Sequence, residues 1–595
     1  MYTDNRTEIY IRGEEGALST PPRIAEIAKE IEQTGIKGWD GLFWKNQYEA
    51  FQQFFHEKNL APYFGSIDSL TRAMGDVSFD HQGRRIQGMR MQNTGDVYAV
   101  NGWEAMPYDN HSGIVDIYRN CKGNPSTFTY YTQPLYVAVS PRTQFVHLPG
   151  KVPVDFYIVN EKNLSGKYRL SVFVCTPDGK EGKHIEKEVH ITGGDCFGQL
   201  LLEHCQLEIE GVSGLYQVKA QLRNASGHLC AEGKDEVLGI YWDKKQLKGK
   251  GALYGTPDDP VATFYQKATG CELPAFHSDI EKLDWIVVTR SSLDAPQPVP
   301  VEAFCQKEGK SVLELSLYKD DDLRTLAGVT QDNKIDRTFA DGAQPDPLLP
   351  ANQSFSAIWD GKLKAPQSGT YMIGVTSDQG MRLSVNGQRI VDEWRNNKEL
   401  TVVRPFLLKA GDEVAVRVEY SQRNPTGSVQ LVWSLPDHAA IAPQELLDRV
   451  KEDGTSLLLL KSAESWMDAV SAYTGSAYHG YYSVGKNWVG GVHFVKEHPL
   501  FNGLPVNVAM GWPYQALVRN GDRRLGLHID NEELVAGSYG SAPFNLGSAV
   551  GIISCGKGKI YYSTLDLVDN LNNPAAAADV ARKLFCNFIL LSKDR

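Results

Sequence analysis

At 595 residues the chain is longer than one hydrophobic core supports and divides into roughly three to five domains. Its composition, 42% hydrophobic and 10% aromatic with 55 Gly and 29 Pro, fits strand-rich, turn-rich domains better than helical bundles. A net charge of −11 with no dense Lys/Arg stretch argues against nucleic acid as a partner, and no run of the roughly eighteen apolar residues needed for a membrane span occurs.

Met1-Tyr2-Thr3-Asp4-Asn5 carries neither the basic nor the apolar region of a signal peptide, so nothing in the chain as written directs export. The nine cysteines are scattered and form no C-x-x-C, which argues against a zinc ribbon or a disulfide framework; a Cys196–Cys205 pair is conceivable only if their strands are adjacent.

A strand-like run, Thr7 to Ile11, breaks at Arg12-Gly13-Glu14-Glu15-Gly16-Ala17, placing two carboxylates on a glycine-flanked turn. Helical spacing follows, first in Ile24, Ile27, Ala28 and Ile31, then in Trp44, Tyr48, Phe51 and Phe55, and a further helix is predicted from Asp68 to Gln92. The apolar run Val97 to Val100 leads into Asn101-Gly102-Trp103-Glu104 and the polar loop Tyr108-Asp109-Asn110-His111. Strand, helices and strand make about one and a half βα units, with reactive side chains at the carboxyl end of each strand, where barrel enzymes place chemistry.

The residues R-G-E-E-G-A-L-S-T-P-P, G-R-R-I-Q-G-M-R-M-Q, N-G-W-E and Y-D-N-H-S-G-I-V-D-I-Y-R, spread over Arg6 to Tyr136, resemble the last part of the catalytic barrel of glycoside hydrolase family 2, particularly β-galactosidase-like enzymes of Bacteroides type. The resemblance implies that Glu14 is the nucleophile of a retaining exo-β-glycosidase, Glu15 its neighbour with a one-residue ambiguity, and Trp103 a wall of the sugar pocket. Glu104, Asp109 and His111 are further substrate-binding candidates. Retaining enzymes use two carboxyl groups about 5–5.5 Å apart; the family's acid/base residue sits on the fourth barrel strand after an asparagine, and no such strand exists here. The chain is therefore expected to lack activity without a missing N-terminal half, and full-length relatives are expected in the periplasm or outside the cell. Read without the resemblance, the Glu pair is a solvated turn, Trp103 a core residue, and Glu104, Asp109 and His111 a hydrogen-bonded loop, with a metal site there the less expected.

Residues 1–133 are accordingly read as the end of a TIM barrel. From 134 to 243, alternation in Val152, Val154, Phe156 and Ile158, in Leu170, Val172 and Val174, and in Tyr216, Val218, Ala220 and Leu222 predicts an antiparallel sandwich, which the same resemblance makes immunoglobulin-like. Residues 247–300 and 438–595 read as one split α/β domain: Gly251 to Tyr254, Trp285 to Thr289 and Ser456 to Leu460 are continuous apolar strands. With H-P-L-F-N-G-L-P (His498 to Pro505) and G-K-G-K-I-Y-Y-S-T-L-D (Gly556 to Asp566), it resembles the amidotransferase-like domains at the ends of some glycosidases. Its turn Lys461-Ser462-Ala463 has no cysteine, which implies the fold without glutaminase chemistry, and no G-x-S-x-G elbow supports Ser462 as a nucleophile.

The interruption, 311–437, contains F-S-A-I-W-D-G from Phe355, S-D-Q-G-M-R-L from Ser377, Asn386-Gly387 and V-D-E-W from Val391, and continues through Arg417 to Tyr420 and Trp433. It resembles the anthrax protective-antigen-type β-sandwich found in microbial glycosidases and adhesins. In adhesins an aspartate pair holds calcium that grips sugar hydroxyls; here the pair is Asp378-Gln379, so Asp378 is a weak calcium candidate and a tight-turn role is the expected one. No cofactor is expected. The functional expectation is a glycosidase part acting on glycans, the alternative a non-catalytic carbohydrate-binding or assembly protein acting through the inserted domain.

Overall fold

The computed structural model describes residues 11–15, 18, 20–36, 40–93, 95–100, 113–194, 197–255, 258–277, 279–291, 296–307, 310–311, 313–435, 443–483, 492–518, 525–541 and 544–593. The chain forms two compact units, Met1–Arg290 with Pro443–Arg595, and Ser291–Ala442.

In the first unit, strand β1 (Ile11–Glu15) lies parallel to β2 (Val97–Val100). Between them run helices α1 (Ile24–Thr34), α2 (Gly41–Glu57) and α3 (Ile67–Gln92), with a single helical turn at Ala61–Phe64. Ile24, Ile27 and Ile31 recur at the spacing of one helix face and are buried together, and Gly35 ends α1. Ser66 caps α3 by accepting from the Ser69 N–H, and Asn93 closes it in the left-handed region. No barrel closes among the described residues; the two strands form a sheet of their own.

Trp44, Phe51, Phe64, Leu70 and Met74 share one core with Phe494, Leu534, Tyr539 and Leu546 of the α/β sheet. Phe64 meets Phe494 edge-on at 5.6 Å between ring centroids. At the end of α2, Lys58 Nζ donates to Glu532 at 2.8 Å and to the Ile529 carbonyl at 2.7 Å.

Residues 135–240 form two sheets around one core. Leu135–Pro141, Gly150–Asn160 and Gly198–Ile209 make the first; Phe145–His147, Leu229–Ile240, Gly214–Arg223, Gly166–Cys175 and Glu181–Ile191 make the second. The alternating residues Val152, Val154, Phe156 and Ile158 are all fully buried. One pairing departs from the antiparallel expectation: Phe145–His147 runs parallel to Leu238–Ile240. The Tyr216 hydroxyl reaches the carbonyls of Glu210 and Val212 at 2.9 and 2.7 Å. Cys205 is a free thiol and Cys196 lies outside the described residues.

The α/β sheet begins with four mutually parallel strands, Gly251–Tyr254, Trp285–Val288, Ser456–Leu459 and Gly558–Ser563. The first three are buried along their whole length, as strands covered on both faces must be. Beyond them the sheet turns antiparallel, because a two-residue turn at Gly556-Lys557 folds Phe544–Cys555 back onto Gly558–Ser563. Among the described residues no helix is long and apolar enough to cross a membrane.

The second unit is a β-sandwich. One sheet orders Leu326–Asp332, Leu313–Tyr318, Phe355–Lys364, Glu413–Gln422, Gly380–Val385 and Gln388–Glu393; the other is built on Gly427–Ser434, Gly369–Ser377 and Leu400–Leu408, with Asp336–Phe339 also paired to Gly427–Ser434. Trp359, Tyr371, Tyr420 and Trp433 fill the space between the sheets. Asn386 and Gly387 both have positive φ, 48° and 80°, the pair that a tight hairpin turn requires.

Candidate functional site

Three regions are candidates for function, two in the first unit and one in the second. In the first, Glu14 and Glu15 stand at the carboxyl end of β1. The register runs Ile11 to Val97 and Arg12 to Tyr98, then slips before Glu15 meets Val100, so an irregularity falls at Gly13-Glu14. Trp103, Glu104, Asp109 and His111 lie outside the described residues.

Residues 113–124 are held by specific side chains of the helices. Arg23, at the head of α1, donates through Nε and Nη2 to both oxygens of Asp68 at 2.6 and 2.7 Å, and through Nη1 to the Cys121 carbonyl at 2.9 Å. Its backbone N–H donates to Asp116 at 3.1 Å. Asp116 is fully buried and also accepts the N–H groups of Tyr118 and Asn120, each at 2.9 Å. Burial pushes the Asp116 carboxyl upward against those hydrogen bonds, and brings the fully buried Lys122 amine down to about 7 with Asp116 opposing. Residues 113–124 are thus pinned to α1 and α3 by buried charges. The signal was an aspartate inside the apolar run Gly113-Ile114-Val115-Asp116-Ile117, a place where acids occur mainly when paired.

In the second unit the Asp378-Gln379 turn is tied to the strand that follows it in space. Asp378 accepts from the Ser428 N–H at 2.6 Å and from its hydroxyl at 3.2 Å. Gln379 is 3% exposed; its amide donates to the Thr426 carbonyl at 3.0 Å and accepts from the Arg423 N–H at 3.2 Å. Asn396 caps the same turn through the carbonyls of Ser377 and Gln379. Among the described residues no group of three or more His, Cys, Asp or Glu is placed to hold a metal ion.

Beside this turn lies a cleft of about 520 Å³, walled by the Asp336–Pro345 stretch, Asn352 to Ser354 and Gln422 to Pro425. Spacing in the sequence gave no hint of it, because its walls come from segments about 80 residues apart.

In the α/β domain Ser462 follows the strand Ser456–Leu459 in the left-handed region, φ 53° and ψ 36°. Its carbonyl accepts from the Ser465 N–H and hydroxyl, and Lys461 pairs with Asp569 at 2.6 Å.

The inserted sandwich is a PA14 domain: the model of that family matches residues 309–446. Over 117 residues the chain is 29% identical to the anti-sigma-I factor RsgI3 of Acetivibrio thermocellus, an overlap of 20% of this chain and 18% of that protein. A β-glucosidase from Kluyveromyces marxianus solved with glucose aligns at 15% identity over 38% of this chain and 29% of its own, with a TM-score of 0.21. The epithelial adhesin 9 A domain of Candida glabrata, solved with Galβ1-4GlcNAc, aligns at 11% identity over 24% of this chain and 90% of its own, with a TM-score of 0.18. The chain spans less than a fifth of the curated relative it matches.

Proposed function

We propose that the chain works on carbohydrate, as the C-terminal part of a retaining exo-β-glycosidase of β-galactosidase-like kind that carries a PA14 domain. The observation that carries this reading is the parallel pairing of β1 with β2 across three helices, with Glu14 and Glu15 at the carboxyl end of β1. Neighbouring parallel strands joined by helices are the unit from which barrels are built, and their carboxyl ends carry the chemistry. A register irregularity at a strand end re-aims side chains beside active sites, and this one falls at Gly13-Glu14.

In this reading Glu14 attacks the anomeric carbon as the bond to the leaving oxygen breaks, and water later releases the sugar from the glycosyl-enzyme. The proton for the leaving oxygen comes from a carboxyl group on a partner segment supplying the earlier barrel strands. The resemblance that supports this reading assigns sugar recognition to Trp103, Glu104, Asp109 and His111. Arg23, Asp116 and Lys122 hold residues 113–124, which follow these candidates in the chain.

The test is covalent labelling by a fluorinated glycoside of the full chain complemented with the N-terminal half. Peptide mapping is expected to place the label on Glu14, and Glu14→Gln to abolish it. A label on Glu15 or elsewhere overturns the assignment, and no labelling with any glycoside overturns the catalytic reading. A second reading, carbohydrate binding without catalysis, is favoured by the polar cleft of the PA14 domain; it predicts glycan binding by the full chain without complementation.

A further inference from the structure

Residues 113–124 fold back on themselves and press onto two helices. Val115 bridges Cys121, the Lys122 N–H donates to the Ile114 carbonyl at 3.0 Å, and the Asp116 N–H donates to the Asn120 carbonyl at 2.9 Å. The segment is held to the head of α1 by Arg23, whose backbone N–H reaches Asp116 and whose Nη1 reaches the Cys121 carbonyl. It is held to α3 by Asp76, which accepts the Asn124 N–H at 2.6 Å, and by a close approach of backbones: a Cβ on Gly75 would lie 2.1 Å from the Lys122 carbonyl oxygen. Glycine at 75 is what lets the two backbones meet.

At the centre of this contact is a buried amine. Lys122 and Asp116 are both 0% exposed, and an ammonium taken out of water needs a well-committed counter-charge. Asp116 divides its oxygens among the N–H groups of Arg23, Tyr118 and Asn120 and the Asn120 side-chain amide. Burial therefore brings the Lys122 amine down from 10.5 to about 7 with Asp116 opposing, so a single proton decides whether this site buries a cation. The remaining charges facing the segment are Glu26 and Glu30 of α1, Asp40 ahead of α2, and Asp68, Arg72 and Asp76 of α3.

Lys122 differs in sign from its neighbours. Burial raises the carboxyls of Asp76 and Asp116, the Cys121 thiol and the Tyr118 hydroxyl, and the hydrogen bond from Asp68 raises Arg23. A raised group holds its proton more tightly in the closed segment than in the open one, so each of these weakens the closed form as pH rises. Lys122 is lowered. The open form holds its proton more tightly, so the closed form gains stability as pH rises from about 7 to 10.5, and its penalty is complete below about 7.

We propose that residues 113–124 are a pH-sensitive latch, closed on α1 and α3 while the Lys122 amine is neutral and loosened when that amine takes up a proton. The segment follows Trp103, Glu104, Asp109 and His111 in the chain. Under the glycosidase reading, on which this consequence rests, acidification slackens the anchor next to the sugar-recognition candidates.

The experiment is hydrogen-exchange mass spectrometry on the full chain between pH 6 and 8.5, with rates corrected for the intrinsic pH dependence of exchange. With the amine at 10.5 when open and about 7 when closed, linkage makes the opening constant of peptides covering 113–124 fall about fifteenfold from pH 7 to 8.5 and less than about twofold from pH 6 to 7. Lys122→Met, which buries no charge, is expected to stay closed without this slope. Lys122→Arg, which stays charged throughout, is expected to stay loose without it. Peptides of the strand Gly369–Ser377 in the other unit are expected to show neither change. A flat wild-type profile overturns the latch, a slope that survives in Lys122→Met overturns its assignment to Lys122, and the same slope in Gly369–Ser377 overturns its local character. The wild-type profile needs neither variant, so misfolding of a variant leaves the test standing. None of these outcomes involves Glu14 labelling, so a failed latch and a failed catalytic reading are told apart.

Discussion

Lys58→Met gives the sharpest test of whether helices α1 to α3 are docked on the α/β sheet. Glu532 has a side-chain exposure of 0%, and Lys58 of 11%. The carboxylate is held by Lys58 Nζ at 2.8 Å and by the hydroxyls of Ser548 and Tyr562. Removing the amine leaves a buried carboxylate with hydroxyl donors only. Breaking one side of a buried pair costs about 3–5 kcal/mol, whereas an exposed pair is worth about 0–1 kcal/mol. The magnitude therefore separates a docked helix from a solvated one. Because a chain of several domains does not unfold in one step, the measurement is hydrogen-exchange mass spectrometry, read as the opening free energy of α1 and α2. A loss of about 3 kcal/mol or more is expected in both helices, largely recovered by adding Glu532→Gln, which removes the orphaned charge. A loss under about 1 kcal/mol would refute the reasoning, and so would a failure of the double variant to recover.

Two further outcomes follow from named groups. His498 is held below the ordinary histidine range by burial, with Glu533 opposing, and its Nδ1 accepts the Leu500 N–H at 3.2 Å. As pH falls below about 6.5 the unfolded chain takes up this proton first, so stability is fully present above that pH and declines as pH drops through the folded value. His498→Asn keeps a capping acceptor and should flatten this part of a melting-temperature profile; an unchanged slope would exclude His498 as its source. Gly380→Ala places a Cβ 2.4 Å from the Trp394 carbonyl oxygen, a backbone atom that cannot swing aside. About 1–3 kcal/mol should be lost from the PA14 transition in urea, and a change within about 0.5 kcal/mol would show that this approach is looser.

Much of the local architecture is written in short-range pattern. The helices around Ile24, Trp44 and Leu70 are legible because their apolar residues repeat at the helical period, and the sandwich strands because Val152 to Ile158 alternate. Asn386-Gly387 announces its turn, since both residues tolerate positive φ. The PA14 domain is legible for the same reason, as an ordered series of turn and core residues that its family model also matches over 309–446. The candidate nucleophile is marked by its strand-end position, whereas Trp103 and its neighbours fall outside the described residues.

By itself, then, the sequence marked the β-rich character, the PA14 domain, and the pair Glu14-Glu15 at a strand end, because each depends on residues near one another in the chain. Tertiary structure alone decided what covers helices α1 to α3, that Gln379 serves as a brace for the Arg423–Thr426 loop, and that Asp341, Gln353 and Asn424 share one cleft. The physical reason is sequence separation. Lys58 and Glu532 are 474 residues apart, and no periodicity or motif couples side chains across that distance; only the packing of the intervening chain brings them within hydrogen-bonding reach.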